Sequence, residues 1–566
     1  MAGQSRKWMI LVATIWIQAF TGTNFDFSAY SSRLKAVLGV SQVQLNYLAV
    51  ASDLGKVLGW SSGLASIYLP LWSVMFLAAF MGLFGYGVQW LVIREVLVLP
   101  YFLVFLLCLL AGCSICWFNT VCFILCNRNF PSNRPLAISL TVSFNGVSAA
   151  LYALAANAID PSSQPLYLLL NAVVPLITSF AALVPIIRQP PVEPLPLPAI
   201  RRDSVIFLIL NLIAIATGVY LVLLSSSDKA CARLLFAGAV FLLVLPLGIP
   251  GVLYAREWFF LQTHSSFRLE GSGFLLVDVE DLELHKALIS RQSSLADEVN
   301  RLIDSDNSIT RQDTGSNYSG CCETIMAKDR LVMLGEEHSA EKLVRRVDFW
   351  LYYVAYFCGG TIGLVYSNNL GQIAQSLGQG SKTSTLITLY SSFSFFGRLL
   401  SAGPDFLRVK VYFARTGWLT IALLPTTIAF FLLAAFGSAA VLHLGTALVG
   451  LSSGFIFAAA VSVTSELFGP NSVGVNHNIL ITNIPMGSLL YGLLAAIVYD
   501  ANISGVRNWA STETVCIGER CYFLTFLCWG CISVVGLAAS TLLFLRTRPV
   551  YDRFEKDRRS TLSSFN

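Results

Sequence analysis

Residues 51–56 read Ala51-Ser52-Asp53-Leu54-Gly55-Lys56, two charges inside an otherwise apolar run, and Trp8 stands 47 residues ahead of Gly55. Far along the chain Trp350 precedes Gly397-Arg398 by the same 47 residues, with Leu38-Gly39 and Leu377-Gly378 falling between the marks, at an offset of 342. A second block repeats nearly in step. Phe130-Pro131-Ser132-Asn133 followed by Asn145, Tyr152 and Asp160 is echoed by Phe468-Gly469-Pro470-Asn471 followed by Asn483, Tyr491 and Asp500, at an offset of about 338–340. Two blocks sharing almost one offset predict two copies of one structural unit facing each other across a common axis.

The solvent in which those copies fold is set by composition. The chain has 566 residues, 55% of them hydrophobic and 12% charged, and a mean hydropathy of +0.67. An ordinary soluble domain is roughly 45–50% apolar and about 25% charged, so a soluble fold is excluded. The formal charge is +5, but residues 256–346 hold 16 acids beside 11 bases and are net −5, which leaves +10 on the rest. A basic membrane body with one acidic insert is unlike a nucleic-acid binder, whose Lys and Arg cluster on one face.

A helix needs about 20 mainly apolar residues to cross a bilayer. Fourteen runs of that kind extend from 8–28 to 522–545, and those at 45–68 and 384–404 contain charges. The repeat assigns the first six runs to one unit and the last six to the other, with 204–224 and 233–255 as an extra central pair. Basic loops resist translocation; with the N-terminus in the cytosol the inner segments carry 17 Lys and Arg against 8 outside, so both termini and the insert are expected to be cytosolic. Arg6 and Lys7 before an apolar run also open like a cleaved signal, but no small-x-small site follows them. The expected organisation is a membrane domain over 1–255, a cytosolic and largely disordered loop over 256–346, a second bundle over 347–546 and a cytosolic tail over 547–566.

Longer motifs sharpen this outline. Lys7-Trp8 through Gly22 to Tyr30, Gln44-Leu45-Asn46, Ala51 to Lys56 and Gly85-Tyr86-Gly87-Val88-Gln89-Trp90 resemble the nodulin-like domain of plant major facilitator proteins, the group that includes the nuclear-fusion-defective proteins. Gly397-Arg398 and Ser465-Glu466-Leu467-Phe468-Gly469 resemble the C-terminal half of the same group. The resemblance covers nearly all of the chain except the insert. It implies an all-α polytopic membrane protein of the major facilitator fold, two six-helix bundles plus two extra central helices, and a transporter class without a stated substrate. The facilitator loop signature after the second helix is degenerate, since Asp53-x-Gly55-Lys56 lies within the helix.

A charge at the centre of a membrane helix costs about 2.5–3.5 kcal/mol on insertion scales, so each one demands a reason. Asp53 and Lys56 stand i,i+3 on one helix face. They read either as an internal ion pair that stabilises packing or as a pair whose Lys56 is freed to bind an anion when Asp53 takes a proton. Arg398, the repeat mate of Lys56, either aims a second cation at a central cavity, where it can grip a carboxylate bidentately, or snorkels to the cytosolic surface. Asp26, near Asn24 and Tyr30, is a second protonation candidate or a solvated mouth residue. Asn145 and Asn483 are repeat-related amides able to bond a solute or to glue helices. Tyr366, with Asn368 and Asn369, is expected to close the ninth helix as Asn24 closes the first.

The 13 cysteines form no metal pattern, and Cys516 with Cys521 on the last outer loop are the candidate disulfide. His264, His285 and His338 lie too far apart in the insert for a metal site. The insert reads as a linker or a phosphorylation-dependent platform for cytosolic regulators. No Walker sequence, H-E-x-x-H or G-x-S-x-G occurs, so no enzyme activity, cofactor or nucleic-acid partner is expected. The leading expectation is a secondary active or facilitative transporter of a small polar or anionic metabolite, working by alternating access with proton coupling, in the plasma membrane or an endomembrane. Its rival is a non-transporting organiser or regulatory receptor in membrane fusion or signalling. Tags on the two chain ends are expected to report together from the cytosolic side; one tag exposed on the far side overturns the orientation.

Overall fold

The computed structural model describes residues 2–131, 133–160, 163–188, 197–223, 229–265, 331, 333–404, 412–469, 472–503 and 516–564. The first half comprises α1 (Ala2–Thr21), α2 (Phe27–Leu38), α3 (Gln42–Val57), α4 (Trp60–Tyr68), α5 (Leu71–Ile93), α6 (Tyr101–Asn129), α7 (Arg134–Gly146), α8 (Ser148–Ile159) and α9 (Leu166–Ile187). Two central spans follow, α10 (Leu197–Leu223) and then α11 (Lys229–Val244), which a 3-10 turn at Leu245–Leu247 joins to α12 (Gly248–Ser265). The second half comprises the short α13 (Ala340–Val344), then α14 (Val347–Tyr356), α15 (Ile362–Ser376), α16 (Thr383–Leu400), α17 (Arg415–Ala435), α18 (Ala439–Phe468), α19 (Val473–Ile481), α20 (Asn483–Ile503) and α21 (Arg520–Ser564).

Eleven of these helices or helix pairs are long and apolar enough to cross a membrane. The three other runs among the fourteen are helical but polar or broken. α1 begins with Arg6 and Lys7, α3 and α4 are separated at Leu58–Gly59 and carry Asp53 and Lys56, and α16 carries Arg398 among its serines. The ninth span does not end at Tyr366–Asn369: after a π-helical turn at Phe357–Thr361 it runs on to Ser376. Asn369 and Gln372 are tolerated there because the first bonds the Val365 carbonyl and the second reaches the opposite half. α21 likewise continues through most of the segment read as a tail, to Ser564.

Local signals explain the element ends. Ser41 opens α3 with a capping box, its Oγ accepting from the Gln44 amide at 3.2 Å while Gln44 Oε1 accepts from the Ser41 amide at 2.9 Å. Gly39 and Gly378, marked by the repeat, each follow a helix in the left-handed region, at φ +62° and +71°, where a residue without Cβ ends a helix at least cost.

The repeat is realised in backbone contacts. A Cβ on Gly55 would fall onto the Leu109 carbonyl and 2.8 Å from the Cys113 amide nitrogen, and one on Gly112 onto the Ser52 carbonyl. In the second half Gly397 meets Leu451 and, at 2.8 Å, Phe455, and Gly454 meets Ser394. Every partner is displaced by 342 residues, so α3 packs on α6 as α16 packs on α18. The two halves face each other along several seams. Gln372 Nε2 donates to Ser31 Oγ and Gln375 Nε2 to Ser32 Oγ, both at 3.2 Å, joining α15 to its repeat mate α2. Bonds between residues 341 and 343 apart place the pseudo-twofold axis through this seam, at the end of the bundle away from the N-terminus.

The central helices lean on α1 and α16. Lys7 Nζ pairs with Asp203 Oδ2 at 2.5 Å, Trp16 Nε1 donates to the Leu243 carbonyl at 2.8 Å, and Gly218 is packed against Phe396. The insert expected to be largely disordered over 256–346 lies mostly outside the described residues. Its start is the end of α12, and its last part folds onto the second half. The Gly335 amide donates to the Glu466 carbonyl at 2.7 Å, His338 to Phe468 at 3.1 Å, and Glu337 Oε2 accepts from Ser472 Oγ at 2.6 Å.

Because backbone faces backbone at Gly112, Gly112→Val is expected to cost about 1–3 kcal/mol or more, seen as a lower unfolding temperature in lipid nanodiscs. Gly63→Ala, at a glycine with open space around it, is expected to be neutral. Equal stability of the two variants contradicts this packing.

Candidate functional site

α3 carries Asp53 and Lys56 to the junction of the halves. Both are buried, and Lys56 Nζ donates to Asp53 Oδ1 at 2.5 Å. The other carboxylate oxygen accepts from Ser488 Oγ on α20, so the pair bridges the halves as well as stabilising its own helix. Ser488 has no mark in the sequence, since a serine in a membrane helix usually bonds its own backbone.

Arg398 does not snorkel. It is 4% exposed, and its Nη1 donates to the Val142 carbonyl at 3.1 Å and to Asn145 Oδ1 at 3.4 Å. The guanidinium carbon lies 5.4 Å from the Phe25 ring centre and 5.7 Å from that of Phe457, within cation–π range. These two rings come from opposite halves. Two residues chosen separately from the sequence, Arg398 and Asn145, therefore meet. Arg398 Nε and Asn145 Nδ2 are buried donors without a hydrogen-bond acceptor, and among the described residues no carboxylate pairs with Arg398. Tyr356 lies in electrostatic range of Arg398 and of Cys116, whose Sγ donates to the Lys56 carbonyl at 3.1 Å.

Helix breaks aim the two asparagines. Asn145 stands just before the interruption between α7 and α8, and Asn483 just after the one between α19 and α20. Asn483 Oδ1 accepts from Thr361 Oγ1 at 2.9 Å and its Nδ2 is left without a partner, as in Asn145. The break in the first half is bridged by Ser391, which donates to the Gly146 carbonyl at 2.5 Å and accepts from the Ala150 amide at 3.3 Å.

Asp26 is not at a solvated mouth. It is fully buried in the turn between α1 and α2, and Asn171 Nδ2 donates to its Oδ1 at 3.0 Å. Asn171 escaped the sequence reading although it is the one amide in the run 166–187. Beside this pair a small, partly open cavity is lined by Asn24, Tyr30, Asp53, Tyr86, Gln89 and Asn368. Tyr366 lies elsewhere, buried in the second half with its hydroxyl 2.7 Å from Thr446 Oγ1 and its ring on Phe430. Cys516 and Cys521 are joined as a disulfide beside Tyr499, far along the chain from the buried charges.

Two repeat-related helical halves enclosing buried charges at their junction form the major facilitator fold, in a multi-pass integral membrane protein. The same fold occurs in the xylose transporter XylE from E. coli, with a TM-score of 0.50, 10% identity and coverage of 94% of this chain and 98% of that one. It occurs also in a POT peptide transporter in complex with alafosfalin, with a TM-score of 0.51, 12% identity and coverage of 96% and 95%. Residues 7–251 match the nodulin-like family and residues 332–553 the NFD4 C-terminal domain, and the chain belongs to the nodulin-like family of membrane proteins. Protein NUCLEAR FUSION DEFECTIVE 4 of Arabidopsis thaliana is 59% identical across 100% of this chain and 93% of its own length. The probable transporter MCH1 of Yarrowia lipolytica is 29% identical over 206 residues, 35% of this chain and 41% of that one.

Removing one member of a buried ion pair strands the other charge, at a cost of about 3–5 kcal/mol. Lys56→Ala is expected to lower thermal stability by that order, and Asp53→Asn with Lys56→Gln to recover most of the loss. A double variant as unstable as the single one contradicts the pairing.

Proposed function

We propose that the protein is a secondary transporter of a small polar or anionic metabolite, which binds at Arg398 between the two halves and is moved by alternating access with proton coupling. The observation that carries this reading is a guanidinium buried at the junction with one edge tied to α7, its Nε bare, and aromatic walls from both halves. A buried cation lacking an anionic partner is costly, and an anion brought by the solute removes that cost. Lys56 is a second buried cation, held by Asp53, whose other oxygen is bound by Ser488 of the second half until the halves separate. Contacts that join the halves at Arg398, Asp53 and Ser488 are also those that must exchange as one half rocks against the other. Both termini and the insert lie in the cytosol in this reading, in agreement with the distribution of Lys and Arg.

Flux into proteoliposomes tests it, with a panel of organic acids, amino acids, sugars and nitrate. Arg398→Gln, inserted normally, is expected to lower flux of the accepted anion about tenfold or more, the cost of losing a charged partner in a dry site. If no panel member moves and Arg398→Gln leaves the cellular phenotype intact, the organiser or receptor reading replaces transport.

A further inference from the structure

Four aspartates are fully buried among the described residues of the membrane body: Asp26, Asp53, Asp203 and Asp348. Three of them have a cation. Asp53 holds Lys56 at 2.5 Å, Asp203 holds Lys7 at 2.5 Å, and Asp348 holds Arg546 at 2.6 Å. Asp26 has an amide instead. Asn171 Nδ2 donates to Oδ1 at 3.0 Å, while Asp26 Oδ2 and Asn171 Oδ1 are both buried with no hydrogen-bond partner. The two bare atoms are those that a second bond between the same groups would join. A carboxylate and an amide cannot make that bond, because both free atoms are acceptors. A carboxylic acid can.

We propose that Asp26 is a proton-binding site: one proton on Oδ2, donated to Asn171 Oδ1, closes a cyclic carboxylic acid–amide pair. Binding adds one proton to the carboxylate and removes one charge from the bundle; release returns the proton to water. An unpaired carboxylate at this depth is costly, and neutralisation is the usual remedy. The groups that face Asp26 from the packed helices carry no opposite charge. They are Tyr30 on α2, Tyr86 on α5, Tyr152 on α8 and Tyr167 on α9, with Cys108 on α6 behind Tyr30. Three of these hydroxyls are already committed, Tyr86 to Thr23 Oγ1 and Tyr152 to the Phe20 carbonyl, each at 2.7 Å, and Tyr167 to Ser384. Tyr30 is the remaining neighbour that also lines the cavity reaching Asp53, and it marks the route by which the proton exchanges. A role for this proton in driving solute movement rests on the transport reading; the binding site itself does not.

The test is infrared difference spectroscopy of the full-length protein in lipid nanodiscs, in H2O and D2O, as pH is stepped from alkaline to acid. The wild type is expected to show a deuterium-sensitive carboxylic acid C=O band that is missing from Asp26→Asn. In Asn171→Ala the band is expected at higher frequency, because the acid has lost its hydrogen-bonding partner. If Asp26→Asn does not fold, Asn171→Ala decides, and an unmoved band overturns the pair. An acid band unchanged in Asp26→Asn overturns the site. No solute enters this measurement, so a band without flux leaves the proton site standing and removes only its coupling role.

Discussion

Two helices in each half touch through bare backbone, and the rest of the molecule is arranged around that closeness. Gly55 and Gly112 let α3 and α6 approach until carbonyl faces Cα, and Gly397 and Gly454 do the same for α16 and α18. In a bilayer there is no hydrophobic force between helices, so tight packing of small residues supplies the attraction. α3 and α16 are also the helices that carry Asp53, Lys56 and Arg398. The contact that holds each bundle together thus also sets the depth and direction of its charge, and an added methyl group there displaces both.

Buried charge is the second theme. Most ionic groups inside the bundle are partnered: Lys7 of α1 with Asp203 of α10, Asp348 of α14 with Arg546 of α21, and Asp53 with Lys56 on α3 itself and, across the junction, Ser488. Against this background Arg398 and Asp26 stand out as a cation without an anion and an acid without a base. Their positions differ. Arg398 lies between the halves among aromatic rings of both, whereas Asp26 lies inside the first half beside Asn171. In the proposed reading a solute site at one and a proton site at the other divide the work as a coupled transporter requires.

Pseudo-symmetry organises the site without making its two sides equal. Asn145 and Asn483 both border a helix break, and each has its oxygen engaged and its nitrogen free. Arg398 engages one of them and Thr361 the other. Lys56 has an acid three residues before it, while the matching position before Arg398 is Phe395. That single difference leaves one cation neutralised and the other available.

Much of this was legible beforehand. Apolar runs of span length, the 342-residue offset and isolated charges in membrane helices are local properties of the chain, and they determined the two-bundle plan, the central pair and the candidates Asp53, Lys56, Arg398, Asp26 and Asn145. Helix ends were less legible, because Tyr366, Asn368 and Asn369 look like a terminus until the bonds of Asn369 to Val365 and of Gln372 to Ser31 are seen. The repeat singles out Tyr366, yet its hydroxyl is consumed by Thr446. Ser488, Phe25, Tyr356 and Phe457 carried no distinguishing signal, since serine and aromatic residues are ordinary in such helices, whereas Asn171 is marked as the one amide of its run. The sequence by itself determined which residues are costly to bury; only the tertiary structure decided which of those costs are met by a partner, because the partners come from helices tens to hundreds of residues away.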